Sequence, residues 1–173
     1  TTARQIPAER EQRTIFPLLA KPVTRGQVIL GKFAGCWLAC GLTLIVFYLF
    51  FGIVSGSREH HWPLLHYFQA LWLQWVMLGV VVAFVLLGSV VFAAPSSNAT
   101  ISFIVVLGIL FLGRYLNQVA LQQPEPLRSI VYGAYFLIPH LEWYDVRDLI
   151  IHNWPAIDWN VIATDTLYGA AFV

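Results

Sequence analysis

Long apolar runs, broken by a few polar clusters, set the layout of this chain. No Asp, Glu, Lys or Arg occurs from Phe33 to Ser57, and none from His60 to Gly113. A helix crossing a bilayer needs about 20 mostly apolar residues. The first gap therefore holds one crossing, and the second holds two if the chain turns inside it. Pro95-Ser96-Ser97-Asn98 supplies that turn, because Pro lacks an amide hydrogen and Ser and Asn favour turns. The pattern predicts crossings at 31–54, 69–94 and 99–117, and Val161 to Val173 reads as the start of a last crossing. Within the first crossing, Gly31, Gly35, Ala39 and Thr43 recur every four residues. Small residues so spaced let helices approach closely, either inside one bundle or between subunits. The fold class predicted is all-α: a polytopic transmembrane helix bundle, a single transmembrane domain over 1–173.

The polar stretches add shorter elements. Pro7, the Glu9/Arg13 pair and the apolar set Ile15, Leu18 and Leu19 predict an amphipathic helix near the start, kinked at Pro17 and ended by Pro22. Leu127 to Ile138 is apolar but too short to span easily, and Pro139 stops it. In LEWYDVRDLIIH, Glu142, Asp145, Asp148 and His152 recur every three or four residues among apolar neighbours, which predicts an amphipathic helix. Short external helices over 118–160 follow from these two segments.

Composition agrees with the membrane class. The chain is 58% hydrophobic and 11% charged, against about 25% charged in a soluble domain. A net charge of +1 gives no electrostatic case for nucleic acid. Arg4, Arg10, Arg13, Lys21, Arg25 and Lys32 lie in the first fifth of the chain, leaving four basic residues for the remainder. By the positive-inside bias, residues 1–29 are cytoplasmic and Lys21, Arg25 and Lys32 are membrane-interface anchors. The crossings then run outward, inward and outward. Trp62, Tyr67, Trp72 and Tyr115 fall near the outer headgroup level, which amphipathic rings prefer.

Candidate chemistry is sparse. GQVILGKF at 26–33 has the glycine and lysine spacing of a phosphate loop, but Phe33 stands where a magnesium-binding hydroxyl is needed and no strand precedes Gly26. It reads as the entry to a membrane helix. His60, His61 and His66 are weak candidates for a metal and lack nearby ligands beyond Glu59. Cys36 and Cys40 read as small packing residues. Asn98-Ala99-Thr100 fits a glycosylation acceptor but lies in the cytoplasmic turn of this topology. Gln74, Ser89 and Ser102 are uncharged polar groups in the second and third crossings, where an ion-coupled carrier would need ionisable ones. No set of residues forms a catalytic site, and the chain itself is not expected to be an enzyme.

One segment is specific. Glu9-Arg10-Glu11, Thr14, Leu18-Leu19, Pro22-Val23, Arg25 and Leu30-Gly31-Lys32 together resemble the signature of type-2 ABC transporter permeases. In that family E-x-E-x-x-T leads through LL-x-x-P-V-x-R and L-G-K into a membrane helix. Arg13 stands where a Gly commonly precedes the Thr. The resemblance implies a six-helix permease half, here without its first two helices and with an incomplete last one. It implies a second permease chain, a separate ABC ATPase that carries ATP and magnesium, and no cofactor on this chain. It also implies that the segment before the third helix is the coupling helix, with Glu9, Arg10, Glu11, Arg13 and Thr14 as ATPase contacts. The function so implied is ATP-driven export across the inner (cytoplasmic) membrane. A non-transporting membrane scaffold, with the basic segment bound only to anionic lipid, is the alternative.

Overall fold

The computed structural model describes residues 24–59, 62, 64–92, 94–122, 124–125, 127–137, 139–146 and 155–173. Every described element is helical. In chain order these are α1 (Arg25–Glu59), α2 (Leu64–Val91), α3 (Pro95–Gln122), α4 (Leu127–Leu137), a 3-10 turn (Leu141–Tyr144) and α5 (Trp159–Ala170). Gly26–Arg58 and Leu64–Val91 are long and apolar enough to cross a membrane, and α3 contains a further apolar stretch at Ser96–Phe111. The fold is thus an all-α membrane helix bundle.

The helices are longer than the charge gaps predict. α1 has 35 residues, about 52 Å at 1.5 Å per residue, and overruns the expected 31–54 at both ends. Its start is fixed by a reciprocal cap: Gln27 N–H donates to Thr24 Oγ1 at 3.3 Å, and Thr24 N–H donates to Gln27 Oε1 at 2.9 Å. This capping box satisfies two amides that the helix itself leaves open. GQVILGKF is therefore continuous helix and makes no phosphate-binding loop.

The turn between the second and third helices falls earlier than expected. Pro95 is the first residue of α3 rather than part of the turn, and Asn98 N–H already donates to the Ala94 carbonyl at 3.2 Å. Proline fits the first helical turn because its missing amide hydrogen would be unpaired there anyway. α2 accordingly ends at Val91. Asn98 is fully buried; its amide donates to the Val85 carbonyl at 3.3 Å and accepts from Ser102 at 3.0 Å. Its side chain ties α3 to α2 and is not an open glycosylation acceptor.

The predicted amphipathic helix after Pro139 is also corrected over its described part. Leu141–Tyr144 forms one 3-10 turn, and Asp145 and Val146 are not helical. Tertiary burial wins over periodicity here. Leu141, Tyr144 and Val146 are all buried, and a regular helix cannot turn all three, spaced three and two apart, toward one core. Residues 147–154, which complete that prediction, lie outside the described residues.

α2 is the hub: α1, α3, α5 and the 3-10 turn all pack on it. Its contact with α1 is reciprocal. The Trp37 indole donates to the Trp75 carbonyl at 2.9 Å, and Trp75 donates to the Trp37 carbonyl at 3.3 Å. The two rings stack with centroids 4.9 Å apart. Each ring lies over a glycine of the other helix: a Cβ at Gly41 would come within 2.5 Å of Trp75 Nε1, and one at Gly79 within 3.0 Å of Trp37 Nε1. At the other side of α2, the Gln69 amide donates to the Ile157 carbonyl at 2.9 Å and accepts from Ile157 N–H at 3.1 Å. Trp72 donates to Thr166 on α5 at 3.0 Å. The core between these contacts comprises Ala70, Leu73, Val76, Tyr144, Val146 and Ile162.

The four-residue stripe Gly31, Gly35, Ala39 and Thr43 faces outward, and at Gly31 and Gly35 a Cβ would meet nothing within 4 Å. Close approach of α1 to α2 uses Gly41 instead. Gly41→Val should therefore collide with Trp75 and cost about 1–3 kcal/mol, the usual range for overpacking. Gly35→Val should leave stability unchanged. Thermal unfolding of the detergent-solubilised protein compares the two.

Candidate functional site

A cleft of about 470 Å³ opens between α1, α2, α3 and the segment that follows Pro139. Its walls are largely apolar, with Met77 from α2 and Leu107, Leu110 and Phe111 from α3. Two polar features interrupt them. On one side Tyr48 of α1 donates to Gln74 Oε1 of α2 at 3.0 Å. On the other, Glu142 and Asp145 line the cleft from the 3-10 turn and the residues after it. A volume of this size is typical of sites for drug-sized ligands.

Glu142 is held from two directions. Tyr135 on α4 donates to its Oε1 at 2.7 Å. Its Oε2 is buried and accepts no hydrogen bond among the described residues. That oxygen rests against the backbone of Gly113 on α3, in space that a Cβ would occupy. Gly113 is thus needed for the 3-10 turn to seat on α3.

His140 sits beside this carboxylate in an aromatic enclosure and is 3% exposed. Tyr135 meets it edge-on with centroids 4.1 Å apart, and Trp143 and Tyr168 lie at 4.7 and 5.6 Å. The Tyr168 hydroxyl shares a hydrogen bond with Nδ1 and accepts the His140 amide at 3.3 Å. Burial pushes the imidazole below the ordinary histidine range, against the opposing pull of Glu142. Burial, reinforced by Glu142, pushes Tyr135 up to about 12. Burial, reinforced by Asp165, likewise takes Tyr144 to about 12. Both phenols therefore stay protonated as hydrogen-bond donors. Tyr144 uses its hydroxyl to reach the Asp165 carbonyl at 2.6 Å, which fixes the turn on α5.

The residues singled out in the sequence fall elsewhere. Glu9, Arg10, Glu11, Arg13, Thr14 and Lys21 lie outside the described residues, as do His60 and His61. Arg25 is the first residue of α1, and Lys32 lies two turns on with its ammonium nitrogen buried. Gly31, Gly35 and Ala39 are on the open face of α1. His66 is in the first turn of α2, half-buried. Cys36 and Cys40 are free thiols, half-buried on α1. No group of three or more His, Cys, Asp and Glu that could hold a metal occurs among the described residues. The cleft was legible only in fragments: Gln74 stood out as a polar group at membrane depth, while Glu142 and Asp145 looked like one face of a helix.

A family model described as ABC-2 family transporter protein matches residues 1–147. The match takes in the N-terminal signature, α1 to α4 and the whole segment that carries Glu142 and Asp145. No curated protein and no solved structure matches the chain.

The buried imidazole gives the site a pH dependence. The folded site fits neutral His140, whereas the unfolded chain takes up its proton near the ordinary value of about 6.5. Its stabilising contribution is therefore complete above about pH 6.5 and is lost as pH falls through the lowered folded value. The melting midpoint in detergent should drop between pH 7.5 and pH 5, and His140→Gln should flatten that drop.

Proposed function

Because the chain belongs to the ABC-2 family of transporter proteins, we propose that it is the permease subunit of an ATP-driven exporter in a cytoplasmic membrane. The family match carries this reading. In this proposal α1, α2 and α3 are three crossings, and residues 1–29 with their cluster of basic side chains lie in the cytoplasm. The chain works with a second permease chain, alike or different. A separate ABC ATPase binds and hydrolyses ATP with magnesium, and this chain holds no cofactor. Glu9, Arg10, Glu11, Arg13 and Thr14 are the ATPase-facing residues. Lys21 and Arg25 anchor the same segment at the membrane interface.

The described geometry supports a mechanical route for the power stroke. The Thr24–Gln27 capping box fixes the direction in which the chain enters α1. A displacement of the preceding segment is then passed to a single 35-residue helix. Trp37 and Trp75 fasten that helix to α2, so α1 and α2 move as one body. α2 in turn carries the contacts to α5 and to the segment that closes the cleft. Closure of the ATPase would thereby shift the balance between two arrangements of the bundle, in proportion to how differently the partner binds each.

Co-expression with the partner ATPase and reconstitution in liposomes tests the reading, which requires co-purification and ATP-dependent flux. Failure of both would favour a lipid-bound scaffold. Within the complex, Glu9→Lys and Glu11→Lys should leave the protein folded and the ATPase active while transport falls by tenfold or more, a loss of about 1.4 kcal/mol in coupling. Wild-type coupled flux in both variants would remove these two residues from the contact.

A further inference from the structure

We infer that the cleft takes a neutral ligand, an apolar body bearing a hydroxyl, and that Tyr48 and Gln74 hold this hydroxyl. Such a site goes beyond the exporter reading and does not rest on it.

Tyr48 and Gln74 lie well inside α1 and α2, and both line the cleft. Tyr48 donates to Gln74 Oε1 at 3.0 Å, and Gln74 Nε2 makes no hydrogen bond among the described residues. That nitrogen is not one of the sealed, unbonded polar atoms of the bundle, so it is open to the cleft that Gln74 lines. The Tyr48 oxygen keeps its lone pairs as acceptors. The pair thus presents a donor and an acceptor side by side, without charge. Turning the amide over leaves this offer unchanged. Nε2 then donates to the phenol oxygen, Tyr48 O–H becomes the open donor and Gln74 Oε1 the open acceptor. A hydroxyl matches both arrangements, because its single oxygen donates and accepts at one point. A bare alkyl group matches neither and leaves a polar group unpaired against apolar walls, which is costly.

A Tyr–Gln bond that only held two helices together would sit in closed packing. This one borders open volume, and Trp37 and Trp75 already fasten α1 to α2.

The remaining walls set the body and the charge of the ligand. Met77, Leu107, Leu110 and Phe111 bound the volume of about 470 Å³, a surface that gains by covering an apolar body. The Glu142 carboxylate is turned to other partners: Oε1 accepts from Tyr135, and Oε2 is closed off against the Gly113 backbone. Asp145 is engaged by contacts of its own. An ammonium or a carboxylate seated at Tyr48 and Gln74 would trade its hydration for uncharged partners, at a higher cost than a hydroxyl.

Binding of tritiated pyrenebutanol to the full-length protein in detergent, without ATPase, is followed by scintillation proximity. Unlabelled pyrenebutanol, 1-butylpyrene, pyrenebutylammonium and pyrenebutyrate compete. Comparison of each variant with wild type cancels their different uptake into micelles. Tyr48→Phe combined with Gln74→Leu replaces both partners by apolar groups of similar shape. In that double variant the advantage of the alcohol over butylpyrene should fall about tenfold, while butylpyrene affinity stays within about twofold. The two ions should lose less than the alcohol. Either substitution alone should retain part of the advantage, since the remaining hydroxyl or amide still donates and accepts. Leu110→Trp, which fills the cleft and leaves the pair intact, should remove specific pyrenebutanol binding. The inference is overturned by an absence of specific pyrenebutanol binding to wild type, by an alcohol advantage unchanged in the double variant, or by a larger loss there for either ion. Should the double variant fail to fold, binding that survives Leu110→Trp, or an advantage undiminished in both single variants, overturns it. These losses without ATP-driven flux would leave the cleft assigned and the exporter reading refuted. Flux without them would do the reverse.

Discussion

Two indoles, each donating to the other's backbone carbonyl, hold α1 against α2. In a bilayer there is little hydrophobic gain from bringing two apolar helices together, because lipid tails are as apolar as the side chains they replace. Association must come from close packing and from hydrogen bonds that lipid cannot supply. Trp37 and Trp75 provide both at once. Each ring covers the glycine of the facing helix, stacks on its counterpart and satisfies its own N–H on a carbonyl. The arrangement reads the same from either helix, which also fixes their register: sliding by one turn would place both rings on side chains instead of Gly41 and Gly79.

The rest of the bundle is built on α2 by the same means. Gln69 imitates a peptide group toward Ile157, Trp72 reaches Thr166, and Asn98 reaches back to Val85. Each bond takes a polar group out of an apolar setting by pairing it, the condition for tolerating such groups in a membrane interior. The cleft exists because one contact is made differently. Leu141–Tyr144 seats on α3 through the Gly113 backbone rather than through interleaved apolar side chains. Tyr48, Gln74 and Glu142 therefore face a space that packing does not fill.

Much of the fold could be read from the spacing of charges. The gaps from Phe33 to Ser57 and from His60 to Gly113 contain most of α1, α2 and the apolar stretch of α3, because the cost of charge in lipid is a property of each residue by itself. Helix ends were less legible. Thr24 and Gln27 carry the capping-box spacing, yet Pro22 drew attention as the breaker, and Pro95 read as a turn although it starts a helix. The reciprocal lock had a visible sign in WLACG and WVML followed by Gly79: Trp and Gly four apart in both helices. Its meaning needs the facing helix, whereas the stripe from Gly31 to Thr43 looks like a seam on its own and faces outward. Glu142 was hidden for a related reason. With Asp145 it has the spacing of a helix face, and only the burial of Leu141, Tyr144 and Val146 forces the 3-10 turn that brings it to Tyr135.

The Gln69 and Trp72 bonds bear on how the molecule is made. Their partners, Ile157 and Thr166, lie 88 and 94 residues further along the chain. A ribosome that has just released α2 has delivered a hairpin already fastened by its two indoles, but with one flank still carrying an amide and an indole N–H that have no mate. Water, lipid headgroups or an insertion chaperone must shelter that flank until α5 emerges. Biogenesis of this bundle thus has a built-in interval between a locked first half and a closed whole.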